Sequence, residues 1–311
     1  MGKTAFIFSG QGAQYVGMGK NLYDNFPTAR KVFDEADEVL ENKITQLCFD
    51  GPNERLQETV NTQPAILAHS IACYSILKDA GIVPDIVAGL SLGEYSALVA
   101  AESMEFRQTV PLVRKRGKYI QEAVPLGKGS MAAILGLERE DVLKICETAS
   151  EAGVVEAANF NCPGQIVIAG EVKAVNKAVE LARVKGAKRA IVLTVSAPFH
   201  CSLLKPAADS LAKELENIEI KDSKIPVVSN VNAEFAKEGY VVKQLLIKQV
   251  SSPVLWEDCI RKMINSKVET FVEVGPGKVL SGFIKKIDNN LRVLNVEDIE
   301  SLYKTINHFG G

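Results

Sequence analysis

A serine flanked by glycines is the clearest chemical pattern in this 311-residue chain: Gly-Leu-Ser-Leu-Gly at residues 89–93, called the elbow below. An apolar run, residues 86–88, precedes it, and a helix-like run, residues 94–101, follows. At a sharp strand-to-helix turn the serine hydroxyl stands clear of the backbone, and the amino end of the helix points at it. This context predicts that Ser91 is a nucleophile. An ordinary glycine-bracketed turn between a strand and a helix is the alternative.

A nucleophilic serine needs a base, and the chain has three histidines: His69, His200 and His308. His69 lies inside a predicted helix, where a hydrogen-bonded core histidine is expected, and His308 lies three residues from the end of the sequence. His200 follows a predicted strand, and a base that comes after the serine matches the order in α/β-hydrolases. We therefore predict that His200 is the base. A turn histidine that binds a carbonyl group is the alternative.

Arg116 shares a helix face with apolar residues. A period of about 100° per residue over residues 110–124 puts Arg116 on the stripe that contains Val113 and Ile120. Three other basic residues of this helix point elsewhere. A guanidinium that faces the interior stays charged and must meet an anion. The anion is either a carboxylate of the chain itself or a carboxylate of a ligand.

A glycine-rich loop, residues 10–14, follows the first predicted strand and matches neither common nucleotide motif. The dinucleotide fingerprint lacks its third glycine, and the later Gly-Lys pair is not followed by the Ser or Thr of a P-loop. Such a loop can point a backbone amide into a cleft, and the amide of Leu92, after the nucleophile, can do the same. We expect these two amides to form an oxyanion hole.

Short strands alternate with amphipathic helices over the first 124 residues, the rhythm of a mostly parallel α/β sheet. From residue 127 the predicted order changes to βαββαβ, the ferredoxin-like split unit. We therefore predict an α/β-hydrolase-like core, residues 1–125 and 197–311, with an inserted ferredoxin-like subdomain, residues 126–196, and a cleft between the two. The predicted core strands are residues 4–8, 86–88, 226–229 and 270–274, and a single closing helix is predicted after the turn at residues 275–277.

The composition excludes several other classes of protein. A formal net charge of −2 gives no overall electrostatic footprint for nucleic acid, and 47% hydrophobic with 24% charged residues is ordinary for a globular protein. The sequence lacks an apolar stretch long enough for a signal peptide or a membrane span, so we expect a cytoplasmic location and no membrane partner. Six scattered cysteines without a C-x-x-C pattern predict reduced, mostly buried thiols and no metal site.

Seven segments spread along the chain carry a family pattern: residues 8–14, 62–65, 89–98, 114–117, 158–165, 198–200 and 274–277. Together they resemble the malonyl-CoA:acyl carrier protein transacylases of bacterial type II fatty acid synthesis, and the resemblance covers essentially the whole chain. One departure is Leu90, where many members have histidine. That position is not a catalytic one.

The resemblance implies that Ser91 is the nucleophile, His200 the base and Arg116 the clamp on the malonyl carboxylate. It implies further roles for five residues: the amides of Gln11 and Leu92 as the oxyanion hole, Gln63 and Phe199 in substrate binding, and the main-chain carbonyl of Gln249 in orienting His200. Phe199 fits the pattern of malonyl-selective acyltransferases.

The implied partners are malonyl-CoA and a holo acyl carrier protein, with ping-pong transfer through a malonyl-serine ester and with no cofactor or metal. We expect a monomer that binds no nucleic acid. Because the carrier proteins of the family are acidic, we also expect a basic rim near the cleft, with these candidates: Lys185, Lys188, Arg189, Lys285 and Lys286.

Three rival functions share parts of this pattern. A polyketide acyltransferase acting in trans would have every motif. A serine esterase or thioesterase would use Ser91 and His200 with water as the acceptor, although Arg116 on an apolar face argues against it. A noncatalytic module could bind malonyl-CoA or a carrier protein, but it would have no need of the nucleophile.

Overall fold

The computed structural model describes residues 2–41, 43–195 and 197–310. Met1, Ser196 and Gly311, which bound the predicted core and insert segments, lie outside the described residues. The strands are β1 (Lys3–Phe8), β2 (Ile86–Gly89), β3 (Gly129–Leu135), β4 (Val155–Cys162), β5 (Gln165–Glu171), β6 (Arg189–Leu193), β7 (Val227–Val228), β8 (Phe235–Ala236), β9 (Val268–Val274) and β10 (Arg292–Val296). The α-helices are α1 (Lys20–Asn25), α2 (Pro27–Leu40), α3 (Ile44–Asp50), α4 (Asn53–Leu56), α5 (Thr59–Asp79), α6 (Gly93–Ala100), α7 (Phe106–Ala123), α8 (Arg139–Ala149), α9 (Val172–Val184), α10 (Lys205–Glu216), α11 (Gly239–Gln249), α12 (Trp256–Asn265), α13 (Val279–Ile287) and α14 (Ile299–Phe309).

The larger sheet has the strand order β10-β9-β1-β2-β7-β8. Its strands pair in parallel except for β8, which runs antiparallel to β7. The register pairs Phe8 with Gly89 on one side and with Val274 on the other. The loops after β1, β2 and β9 therefore leave the same carboxyl edge next to one another, which is where α/β sheets bind their ligands.

A second sheet, separate from the first, has the order β4-β5-β3-β6 with antiparallel pairing throughout. Its strands share an apolar cluster with α8 and α9, which includes Ile134, Val142, Ile168 and Val179. The predicted change of element order is confirmed, because β3, α8, β4, β5, α9 and β6 follow one another as βαββαβ.

The antiparallel sheet is joined to the larger sheet's side of the molecule through β4. The amide of Phe160 donates to the carbonyl of Val254 at 2.9 Å, and the amide of Val254 donates to the carbonyl of Ala158 at 2.9 Å. Arg139, at the start of α8, pairs with Asp258 of α12 at 2.7 Å and lies over the Phe160 ring. These bonds attach the antiparallel sheet to α12 and the segment before it, far in sequence from residues 126 and 197.

The elbow brings β1, β2 and α6 into unusually close contact. A Cβ on Gly93 would lie 2.1 Å from the Phe8 carbonyl oxygen, and a Cβ on Gly89 would lie 2.0 Å from the Gly93 carbonyl carbon. Ser91 itself has a φ of 53°, a left-handed conformation that non-glycine residues seldom adopt. The two glycines thus allow the approach that the strand-to-helix turn requires.

The end of the chain differs from the sequence prediction. A single closing helix was expected after the turn at residues 275–277, but α13 is followed there by β10 and α14. β10 is a five-residue edge strand, and four of its residues are half-buried or exposed. Such a short strand shows no clear alternation in sequence, so its presence depends on pairing with β9.

Substitution of Gly93 tests the close approach at the elbow. We expect Gly93→Ala to lower the free energy of unfolding by about 2 kcal/mol or more, because the new methyl group would overlap the Phe8 carbonyl. Gly282→Ala is the matched control: it lies on the exposed side of α13 with no atom within 4 Å of the new Cβ. That variant should gain about 0.5–1 kcal/mol. Urea unfolding of both variants measures the difference, and equal stabilities would contradict the steric argument.

Candidate active site

Ser91 and His200 lie in contact at the carboxyl edge of the larger sheet. The Ser91 Oγ is 2.7 Å from the His200 Nε2, and the His200 Nδ1 is 2.9 Å from the main-chain carbonyl oxygen of Gln249. Both side chains are buried. Since a carbonyl can only accept, the Nδ1 of His200 carries the proton and its Nε2 is free to accept the serine proton.

The imidazole of His200 is held in its neutral form. Burial and the nearby positive charge of Arg116 together lower the pKa of His200 from 6.5 to about 4, although the Gln249 carbonyl acts in the opposite direction. A neutral imidazole at physiological pH is the form that can remove a proton.

Arg116 extends from α7 to the same serine. Its Nη2 donates to the Ser91 Oγ at 3.1 Å and to the side-chain oxygen of Gln249 at 3.0 Å, and its Nη1 donates to the side-chain oxygen of Gln63 at 2.9 Å. Arg116 is only 2% exposed, and burial lowers its pKa.

The acceptors that Arg116 contacts are all neutral. No carboxylate of the described residues forms an ion pair with it, and its Nε and the Gln63 Nε2 lack hydrogen-bond partners among those residues. Buried donors are nearly always satisfied in folded proteins. The sequence left two possible anions for Arg116, a carboxylate of the chain or one of a ligand. Among the described residues, the structure shows no direct ion pair with a carboxylate of the chain.

A cleft of about 800 Å³ lies over this site and is lined by residues from both sheets. Gln11, Leu92, Phe199 and Arg116 line it together with Ser91 and His200. The Gln11 side chain donates to the Thr59 hydroxyl at 3.1 Å. The two predicted oxyanion residues therefore lie at one cleft with the serine, and Phe199 lies there beside the histidine.

The sequence matches the acyl transferase domain family over residues 5–303. This chain belongs to that family. Its curated relatives include the malonyl CoA-acyl carrier protein transacylase of Bacillus subtilis, which is 52% identical over 303 residues, or 97% of this chain and 96% of the relative. The resemblance inferred from the sequence is confirmed, and this protein is an acyltransferase.

Solved structures agree with the sequence comparison. The malonyl CoA-acyl carrier protein transacylase of Clostridium perfringens superposes with a TM-score of 0.96 at 50% identity, covering 99% of this chain and 97% of that one. A malonyl-transacylase in complex with its type II PKS acyl-carrier protein superposes with a TM-score of 0.96 at 42% identity, covering 98% and 99% of the two chains. The mixed α/β fold of this acyltransferase is thus the fold of those enzymes.

Two polar residues beneath the elbow were missed by the sequence prediction. Asn230 accepts a hydrogen bond from the Ser91 amide at 2.7 Å and donates one to the Gly89 carbonyl at 2.8 Å. Glu94, which is 2% exposed, accepts one from the Gln249 side-chain amide at 2.7 Å. The sequence did carry one signal for Glu94, which is the only acidic residue at the start of an otherwise apolar helix. A carboxylate in such a buried helix is expected to have hydrogen-bond partners.

Other features of the described residues bear on metals and membranes. No group of three or more His, Cys, Asp or Glu side chains in these residues could hold a metal ion. None of the described helices is both long and apolar enough to cross a bilayer. All six cysteines are buried free thiols, as predicted. His69 lies buried in α5 and contacts the carbonyl of Glu297 at 2.9 Å, which fits the structural role expected of it.

The protonation of His200 can be measured directly. We expect its imidazole to stay neutral from pH 8 down to about pH 5 and to titrate near its lowered pKa of about 4. In the unfolded chain this histidine has the ordinary pKa of 6.5, so it binds a proton at a higher pH than it does in the folded protein. The free energy of unfolding should therefore fall as the pH drops below about 6.5. NMR of histidine-labelled protein tests this, with a His69→Gln variant to separate the second buried histidine. A midpoint near 6.5 for His200 would contradict the prediction.

Proposed function

We propose that this acyltransferase moves a malonyl group from malonyl-CoA to the phosphopantetheine thiol of an acyl carrier protein. The observation that carries the proposal is the buried Arg116 guanidinium, which contacts the Ser91 hydroxyl and whose hydrogen-bond partners among the described residues are all neutral. A dicarboxylic half-thioester brings a carboxylate of its own, so its free end would supply the missing anion. The names of the relatives support the same substrate.

The first half of the reaction forms an ester on Ser91. The Nε2 of His200 takes the hydroxyl proton while the Oγ attacks the thioester carbon, and the amides of Gln11 and Leu92 donate to the oxygen that becomes negative. Each such donor is typically worth about 3 kcal/mol of transition-state stabilisation. The C–S bond then breaks, His200 returns the proton to the sulfur, and free coenzyme A leaves a malonyl-serine ester behind.

The second half runs in the opposite direction with a new thiol. The phosphopantetheine thiol gives its proton to His200 and attacks the ester carbon. The C–O bond breaks, the proton passes to the Ser91 Oγ, and the malonyl thioester departs on the carrier protein. Because coenzyme A leaves before the carrier enters, the kinetics should be ping-pong.

Arg116 provides the selection for the malonyl group. A planar guanidinium can bind a carboxylate through two parallel hydrogen bonds, and Gln63 and Gln249 hold it in place beside Ser91. An acetyl group cannot supply the anion, so the charge would stay buried without one. Phe199, next to the base in the cleft, would pack against the short acyl chain.

The base has a neutral partner where many serine enzymes have a carboxylate. The Gln249 carbonyl fixes the tautomer and the orientation of His200, but it stabilises the imidazolium less than an aspartate would. A thioester is an activated acyl donor, so the weaker base suffices for the proposed reaction.

We propose the finer description of the fold as well. The core, residues 1–125 and 197–311, is α/β-hydrolase-like, and residues 126–196 form a ferredoxin-like subdomain. The separate apolar cluster and the strand order β4-β5-β3-β6 support this division. The protein acts in the cytoplasm as a monomer, requires no cofactor or metal, binds no nucleic acid, and meets its carrier protein through a basic rim.

A carrier protein from polyketide synthesis is the second candidate acceptor. It is favoured by the similarity to a malonyl-transacylase described in complex with a type II PKS acyl-carrier protein. Both candidates use the same chemistry, and discharge onto each purified carrier separates them. Water as the acceptor would instead indicate the thioesterase alternative.

The intact mass of the protein tests the first half-reaction. Brief exposure to malonyl-CoA should add one malonyl group to the wild type and none to Ser91→Ala, since the serine oxygen forms the ester. Holo acyl carrier protein should then remove the group faster than buffer does. Steady hydrolysis without an adduct would support the thioesterase, and neither an adduct nor turnover would support a noncatalytic module.

Substitution of Arg116 tests the selection step. In Arg116→Ala we expect the rate of Ser91 acylation by malonyl-CoA to fall by about 100-fold or more, because two charged hydrogen bonds to the substrate are lost. Acylation by acetyl-CoA, which makes neither bond, should change by less than about threefold. Rapid-quench mass spectrometry gives both rates, and an equal loss for the two substrates would argue against a carboxylate clamp.

A further inference from the structure

Glu94 lies below the reacting groups and contacts none of them. It occupies the first turn of α6, directly after the elbow, and its side chain is buried. One carboxylate oxygen, Oε2, accepts from the side-chain amide of Gln249 at 2.7 Å and from the backbone amide of Asn230 at 3.0 Å. These two residues in turn contact Arg116 and Ser91.

The Gln249 side chain connects Glu94 to the guanidinium. Its Nε2 donates both to Glu94 and to the Ser91 carbonyl, and its Oε1 accepts from Arg116. A carboxamide can turn over so that its oxygen and its NH2 group exchange places. The turned-over group would press an NH2 against the guanidinium and an oxygen against Glu94.

A carboxylate prevents that exchange because it accepts hydrogen bonds and cannot donate them when ionised. We infer that Glu94 is a positioning residue for malonyl selection: it fixes the side-chain amide of Gln249, and this amide holds Arg116 beside Ser91. The inference rests on the proposed function. It assigns Glu94 a part in substrate choice without contact with the substrate.

The buried state of Glu94 fits this role. Burial raises the pKa of Glu94 to about 7, while hydrogen bonds from Asn230, Gln249 and Ser229 and the positive charge of Arg116 act to lower it, so the ionised form that blocks the exchange dominates above about pH 7. A carboxyl group buried at this cost is normally retained for its hydrogen bonds. Here those bonds lead to the two residues that hold the guanidinium and the elbow.

The test compares two variants of Glu94 by the ratio of the malonyl-CoA and acetyl-CoA acylation rates of Ser91. Glu94→Leu removes both acceptor oxygens at similar size, and we expect the ratio to fall by about 10- to 100-fold. Glu94→Gln keeps one oxygen, and the backbone amide of Asn230, which can only donate, holds that oxygen at the position from which it accepts from Gln249, so the ratio should stay within about threefold of the wild type. General damage to the site would slow both substrates alike and leave the ratio unchanged.

Two controls sharpen the comparison. Asp298 is a carboxylate outside the cleft lining that accepts from the Ser301 amide at the start of α14, so Asp298→Asn should leave the ratio unchanged. The second control is the double variant. If Glu94 acts through Arg116, adding Glu94→Leu to Arg116→Ala should lower the ratio by less than about a further threefold.

The outcomes separate this inference from the proposed function. Wild-type protein that takes no malonyl group would overturn the proposed function. Normal malonylation in the wild type, with an unchanged ratio in a folded Glu94→Leu variant, would overturn the inference alone. Equal losses in Glu94→Leu and Glu94→Gln would also overturn the inference, because the acceptor oxygen would then not carry the effect. So would a full additional loss in the double variant, because the effect would then not pass through Arg116.

Discussion

A positive charge buried next to a nucleophile is the constraint on which the rest of this site depends. Arg116 is 2% exposed, its guanidinium donates to two glutamine side chains and the serine hydroxyl, and it lies 5.4 Å from the centre of the Tyr95 ring. Neutral dipoles lower the cost of burying a charge but do not cancel it. The resting site therefore has no carboxylate in direct contact with the guanidinium, and this favours an acyl group that brings a carboxylate over an uncharged one.

The same charge affects the base. Arg116 and burial both favour the neutral form of His200, and a main-chain carbonyl supports the imidazole in place of a carboxylate. An aspartate in that position would raise the pKa of the histidine, and it would also offer Arg116 an internal partner that competes with the substrate. The neutral Gln249 carbonyl behind His200 is thus compatible with the charged Arg116 beside it. An aspartate behind the histidine would compete with the substrate carboxylate for Arg116.

The sequence predicted the parts of this site that depend on local patterns and missed the parts that depend on contacts between distant segments. The elbow was predictable because glycine spacing and a strand-to-helix change are local features, and Arg116 was predictable because its helix has a regular apolar face. Asn230 and Glu94 were not, since their roles arise only when segments far apart in sequence meet beneath the elbow. Gln249 was identified from the family resemblance through its main-chain carbonyl, yet its side chain makes three further hydrogen bonds that no local pattern indicates.

The fold followed the same rule. The two kinds of sheet were predicted from the order of strands and helices, whereas β10 and α14 were not, because a short edge strand is stabilised by its neighbour rather than by its own sequence.

The hydrogen bonds between β4 and Val254 have a mechanical consequence. Gly129 and Pro198 lie close together, so the chain enters and leaves the antiparallel sheet at nearly one place, and two neighbouring connections alone would act as a hinge axis. The bonds of Val254 with Ala158 and Phe160, and the Arg139–Asp258 pair, add an attachment away from that axis. A swing about that axis would have to break these bonds. We therefore expect the long flexible arm of the acyl donor or acceptor to supply much of the motion that brings each thioester in and out.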